Sequence, residues 1–163
     1  MTKSQSQKIE KLYVAMFSRL YGVALAALRN EDFAEEAVQD TFRIACSKPD
    51  ALLKSPNPEG WLMNTLKNVL MKIRALRAQD EAFILPLLKE HENLIGTNDN
   101  TKPDILELLN DDDKQILILT VLEGKTMLEA SRILGISLEA CKKRAQRARK
   151  RLKTALVEVD KKE

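Results

Sequence analysis

Residues 126–156 constrain the fold of this chain more than any other stretch. Thr126 with Glu129 has the pattern of a capping box. Gly135 can take the positive φ that closes a helix, and Ser137 can cap the helix that follows. The segment therefore predicts a short helix, a glycine turn and a long helix from Leu138 to about Val157. Ala130 is small where two helices cross closely, and Ile133, Leu134, Ile136 and Cys141 can pack the pair together. Between Lys142 and Lys153, eight of twelve residues are Lys or Arg and none is acidic. A turn-linked pair whose second helix is this basic has the outline of a helix-turn-helix that lays one helix in a DNA groove. On that geometry Ser137, Glu139, Lys142, Lys143 and Arg144 lie nearest the base edges, while Arg147 and Lys150 reach phosphates. The bland alternative is a solvated basic face; the glycine turn and the two caps favour DNA.

The rest of the chain also reads as helix. Runs of Val, Ile, Thr and Tyr are missing, aromatics are 4%, and an all-helical protein is expected. Ile9, Leu12, Met16, Leu20, Val23 and Ala27 share one face of a first helix, about Gln7–Leu28. Asn30-Glu31-Asp32 breaks it and offers caps for a second, about Phe33–Ser47. There Ala34, Ala37, Val38, Thr41 and Ala45 form a narrow buried stripe, and Glu35, Glu36, Gln39, Asp40, Phe42 and Arg43 occupy the other face. Phe42 among acids reads either as a docking patch or as packing against the first helix. Pro49, Pro56 and Pro58 predict a loop over Lys48–Gly60. A third helix follows to about Arg77, with Leu62, Leu66, Val69, Leu70 and Ile73 inward and Asn64, Lys67, Asn68, Met71 and Lys72 outward. Ala78–Pro103, rich in turn formers at Gly96–Asn100, is the expected linker. Beyond it, Ile105–Leu109 and Asp111–Leu122 predict two further helices, the second stopped at Gly124.

The net charge of +3 hides a strong asymmetry. Lys142–Lys153 contributes +8 and the rest sums to −5; Asp80–Asp113 alone carries −8. Such separation points to two electrostatically different tasks. No enzyme constellation is present, so no catalytic residue, metal site or cofactor is expected. Glu35 and Glu36 point in different directions on a helix, no glycine-rich phosphate loop exists, and His91 is the only histidine, a solvated linker residue by expectation. Cys46 and Cys141 read as isolated thiols in a reducing compartment, and a cytoplasmic location is expected. The N-terminus lacks a signal-like apolar core, and no apolar run reads as reaching membrane-spanning length.

Three segments together resemble a known family. Ala34-Glu35-Glu36-Ala37-Val38-Gln39-Asp40-Thr41-Phe42 is similar to region 2.2 of the extracytoplasmic-function (ECF, group IV) sigma factors of bacterial RNA polymerase. Trp61-Leu62-Met63-Asn64-Thr65-Leu66-Lys67-Asn68 resembles their regions 2.3 and 2.4. Leu117–Leu152 follows region 4.2, with Gly124, Glu129, Ala130, Leu134-Gly135-Ile136 and Arg147-Ala148-Arg149. The resemblance implies an all-α fold of two small helical domains, a region 2 bundle at 7–77 and a region 4 helix-turn-helix at 104–157. A flexible acidic linker, 78–103, would join them. It implies an alternative sigma factor that binds core polymerase and directs promoter recognition and transcription initiation.

Residue by residue, the resemblance implies polymerase docking through Glu35, Glu36, Gln39, Asp40, Phe42 and Arg43 on the clamp helices of the largest subunit, with a further contact to the flap of the second. It implies −10 capture by Asn57, Glu59, Trp61, Asn64, Lys67, Asn68 and Lys72. The −35 element would be read by Ser137, Glu139, Lys142, Lys143, Arg144, Arg147 and Lys150. Promoter DNA and an anti-sigma factor are the other implied partners, and no membrane insertion of its own is implied. The chain departs from the family where Val69–Arg77 carries Met71, Lys72 and only two arginines, and where Gln146 replaces a frequent aromatic. Two other readings stay open at this point. One is a stand-alone helix-turn-helix regulator with a dimerisation or sensor domain; the other is a helical interaction protein without DNA activity.

Overall fold

The computed structural model describes residues 1–95 and 105–162. The described residues are helical with no strand, and they divide into two compact units, Met1–Leu76 and Arg77–Glu163. Each unit has its own apolar core.

In the first unit, α1 spans Lys3–Leu28, α2 Glu31–Ser47, and α3 Pro49–Leu53; α4, Pro58–Gln79, begins there and its last residues belong to the second unit. Thr2 starts α1 earlier than periodicity alone suggests. Its hydroxyl accepts from the Gln5 N–H, and the Gln5 side chain accepts from the Thr2 N–H, a reciprocal cap. Asn30 caps α2 by accepting from the Phe33 N–H at 3.0 Å. The α1–α2 pair is the most extensive helix contact of this unit. It is close because α2 brings Ala34, Ala37 and Ala45 to it, all fully buried. Ile9, Met16, Leu20, Ala24 and Leu28 of α1 and Leu62, Leu66, Val69 and Leu70 of α4 complete the core. Val23, expected inside, is partly exposed at the end of the apolar arc.

Three expectations need correction here. The loop of Lys48–Gly60 contains a helical turn, α3, whose Leu52 is fully buried. Pro49 starts that turn instead of breaking it, since the first helical position has no N–H to lose. Second, α1 is, by length and composition alone, long and apolar enough to cross a membrane. The segment reads otherwise in sequence because Lys and Arg interrupt it; its inward side chains are core of the first unit. Third, Phe42 is buried against α1, its ring edge-on to Tyr13 at 4.9 Å. Of the two readings of that residue, packing is the one realised.

In the second unit, a single π-helical turn, Asp80–Ile84, leads into α5, Leu85–Ile95. A 3₁₀ turn (Ile105–Leu108) and α6 (Asp111–Leu117) come next. A second π turn (Ile118–Leu122), α7 (Met127–Leu134) and α8 (Leu138–Lys162) follow. The segment expected as a flexible linker is therefore helical through Ile95. Asp80, Ile84 and Leu88 recur every fourth residue and are all buried, Ile84 and Leu88 within the second core. Pro86 is tolerated next to the π turn, where the regular helical bonding is already interrupted. His91 is half-buried in α5 instead of solvated. The expected turn residues Gly96–Asn100, and Lys102 to Asp104, lie outside the described residues.

Candidate nucleic-acid interface

Local signals position α7 and α8. The Thr126 hydroxyl accepts from the Glu129 N–H at 3.1 Å and starts α7. The Glu129 carboxylate lies 3.3 Å from that hydroxyl and not on the backbone, so only half of the expected capping box forms. Gly135 ends α7 at φ +66, a left-handed conformation that side chains with a Cβ resist. The Ser137 hydroxyl accepts from the Ala140 N–H at 3.1 Å and starts α8. On α8, Cys141, Ala145, Ala148 and Leu152 form the buried stripe. Small residues at three of those four positions let α8 lie close to α6 and α7. Ile133, expected to help pack the pair, is 55% exposed.

The opposite face of α8 carries Glu139, Lys143, Arg147 and Lys150, all exposed, together with Gln146. Lys142 and Arg144 lie at its two margins, half-buried. All seven residues expected for groove contact therefore fall on the tip, the outer face or the margins of one helix pair. A cationic outer face on a helix stiffened by an apolar stripe can enter a major groove and neutralise phosphates.

In the first unit, Asn57 caps α4 by accepting from the Gly60 N–H at 3.1 Å. A Cβ on Gly60 would collide with that Asn57 side chain, so the capping side chain would have to shift to admit one. Past the cap, a cleft of about 360 Å³ is lined by Trp61, Asn64, Asn68 and Lys72 of α4. Thr65, Val69, and Ile44 and Lys48 from the end of α2 complete it. Four residues expected to meet single-stranded DNA thus share one cleft. Lys67 and Glu59 are exposed on α4 outside the lining, Glu59 3.9 Å from Arg19, and the capping Asn57 is exposed outside it too. An indole beside two carboxamides and two ammonium groups can stack on a base, bond its edge and hold its phosphate. Ile44 and Lys48 carry no sequence signal for this role, because only the crossing of α2 and α4 brings them in.

The polar face of α2 is pre-ordered. Gln39 donates to Glu35 at 3.2 Å, and Arg43 donates to Asp40 and, at 3.5 Å, to Gln39. Glu35 is exposed, while Gln39, Asp40 and Arg43 are half-buried. Glu36 and Phe42, expected on this face, are instead 7% exposed each. The exposed face is therefore narrower than the sequence motif, because a helix cannot show all of six nearly consecutive residues on one side.

Comparison with known proteins bears on both units. A family model described as "Sigma-70, region 4" matches residues 103–152. An ECF RNA polymerase sigma factor, EcfG, of Rhodopseudomonas palustris is 26% identical over 152 residues, covering 90% of this chain and 83% of its own. Among solved structures, the RsbN–BldN complex aligns at 18% identity and a TM-score of 0.39, over 93% of this chain and 96% of its own. The sigma factor RpoE with the anti-sigma factor NepR from Bartonella quintana aligns at 23% and 0.40, over 92% and 97%. The capped turn at Gly135 and α8 as far as Leu152 lie inside the matched segment. Residues 103–152 are thus similar to sigma-70 region 4, and an ECF sigma factor is a relative along nine-tenths of the chain.

Proposed function

We propose that the chain is an alternative sigma factor whose two units divide a promoter between them. Region 4 reads the −35 element through α8, with Lys143, Arg144 and Glu139 towards base edges and Arg147 and Lys150 towards phosphates. The first unit captures the melted −10 strand. The observation that carries this second half is the cleft that gathers Trp61, Asn64, Asn68 and Lys72. The α2 face with Gln39, Asp40 and Arg43 docks on the clamp helices of the largest polymerase subunit, and region 4 meets the flap of the second. Residues 7–77 serve as region 2 and 104–157 as region 4. A protein antagonist of the anti-sigma class holds the chain when it is idle. This is an assignment of binding roles, with no reaction of the chain's own.

Run-off transcription with core polymerase and a genomic fragment library tests the proposal directly. Specific transcripts that need the chain are expected. Asn68→Ala should lower open-complex formation without lowering duplex binding, and Lys143→Ala should weaken closed-complex binding. Absence of any transcript dependent on the chain, with core polymerase active on a control factor, would refute it.

A further inference from the structure

Two of the cations of α8 are engaged inside the second unit. Arg149 donates from Nε and from one terminal nitrogen to the two carboxylate oxygens of Asp80, at 2.9 and 2.8 Å. The two side chains are only 12% and 10% exposed. Arg151 donates to the buried Asp113 at 2.8 Å, its own side chain half in solvent. The pairs lie on opposite flanks of α8. At about 100° per residue, Lys142, Arg149 and Lys153 form one row beside the buried stripe, and Arg144 and Arg151 form the other. Each row therefore has one guanidinium neutralised by an acid planted next to it.

The two acids differ in origin. Asp113 is part of α6, inside the region 4 match. Asp80 lies outside that match, on the π turn ahead of α5, and is seated there with Ile84 and Leu88. An arginine meets a carboxylate and a phosphate with the same fork of parallel N–H donors. We propose that Asp80 is an intramolecular stand-in for a DNA phosphate. While residues 80–88 are seated on the domain, Arg149 is occupied, and region 4 binds duplex DNA with one cation fewer than its sequence offers. Drawing the segment off the domain exchanges carboxylate for phosphate and tightens DNA binding. This rests on α8 being the DNA-contacting element.

The test is the salt dependence of full-length chain binding to a random-sequence duplex oligonucleotide, followed by fluorescence anisotropy. Asp80→Asn keeps an acceptor for Arg149 and adds no bulk. It should raise affinity at low salt and steepen the slope of log affinity against log salt by about 0.9. Its advantage should then shrink about threefold between roughly 50 and 200 mM salt. Arg149→Gln should leave the parent's slope unchanged, and should cancel the gain when added to Asp80→Asn. An unchanged slope in a folded Asp80→Asn variant overturns the proposal, leaving the pair as a device that only orients α8. So does a slope lost on Arg149→Gln alone, which would put Arg149 on DNA already. That second measurement decides by itself if Asp80→Asn does not fold. Lys150→Gln separates the two levels. If its slope does not fall, α8 is not the DNA-contacting element; if it falls while Asp80→Asn stays flat, only the masking is refuted.

Discussion

Replacing Leu88 by alanine tests where the middle of the chain belongs. A linker side chain in that position would be worth at most about 0.5 kcal/mol. Instead, Leu88 is 1% exposed in the core of the second unit, together with Ile84, Leu106 and Ile116. Truncating a leucine in such a site costs about 2–5 kcal/mol, through lost transfer energy and the cavity left behind. With about 3 kcal/mol and a urea m value of about 1.5–2 kcal/mol/M for a small unit, the midpoint falls by roughly 1.5–2 M. Urea titration followed by far-UV circular dichroism reads all the helices. The emission of Trp61, the chain's one tryptophan, reads the first unit. Part of the ellipticity change should move to lower urea by that amount, and the Trp61 transition by much less. A midpoint shift below about 0.3 M in both signals would mean that the α5 segment does not share the second core.

Two glycines should respond to alanine with opposite signs. At Gly135, φ is +66 and an added Cβ meets nothing, so Gly135→Ala should cost about 1–2 kcal/mol of second-unit stability from backbone conformation alone. Gly22 lies inside α1, also with open space around a Cβ, and Gly22→Ala should stabilise the first unit by about 0.5–1 kcal/mol. Thermal melts of the two variants check both signs. Phe42→Ala should destabilise the first unit by about 3–5 kcal/mol, read from Trp61 emission in urea; a loss confined to polymerase binding would contradict its place against Tyr13. Gln39→Ala with Asp40→Ala should lower affinity for core polymerase in a pull-down or anisotropy titration while the Trp61 melt changes little. Equal affinity of variant and parent would remove the α2 face from the docking role.

Much of this fold was legible because its signals are local. Asn30, Thr126, Gly135 and Ser137 each act on a backbone within a few residues, and each does in the structure what its type suggests. The buried stripes of α2, α4 and α8 are likewise written in a helical period. What misled was polarity. Asp80–Asp113 looked solvated because it is acidic, yet Asp80, Ile84 and Leu88 occur at helical spacing and fold inward. Asp80 and Arg149 are far apart in the chain, so nothing local announces that they pair. The cleft on α4 was legible in the same proportion. Trp61, Asn64 and Asn68 stand together in sequence, whereas Ile44 and Lys48 reach the cleft only through tertiary packing. Glu36 and Phe42 belong to a recognisable motif, but a motif records which residues matter and not which of them face outward.

The buried stripe of α8 has a kinetic consequence. Its first member, Cys141, is fully buried, and the only other thiol, Cys46, lies exposed at the end of α2. A thiol reagent therefore meets one site at once and the other only when α8 lifts from its seat. Cys46 can be blocked first under native conditions. The labelling rate of Cys141 then counts openings of α8, in the way amide exchange counts local unfolding. Any ligand that grips the second unit would slow that clock, and a ligand confined to the first unit would leave it running.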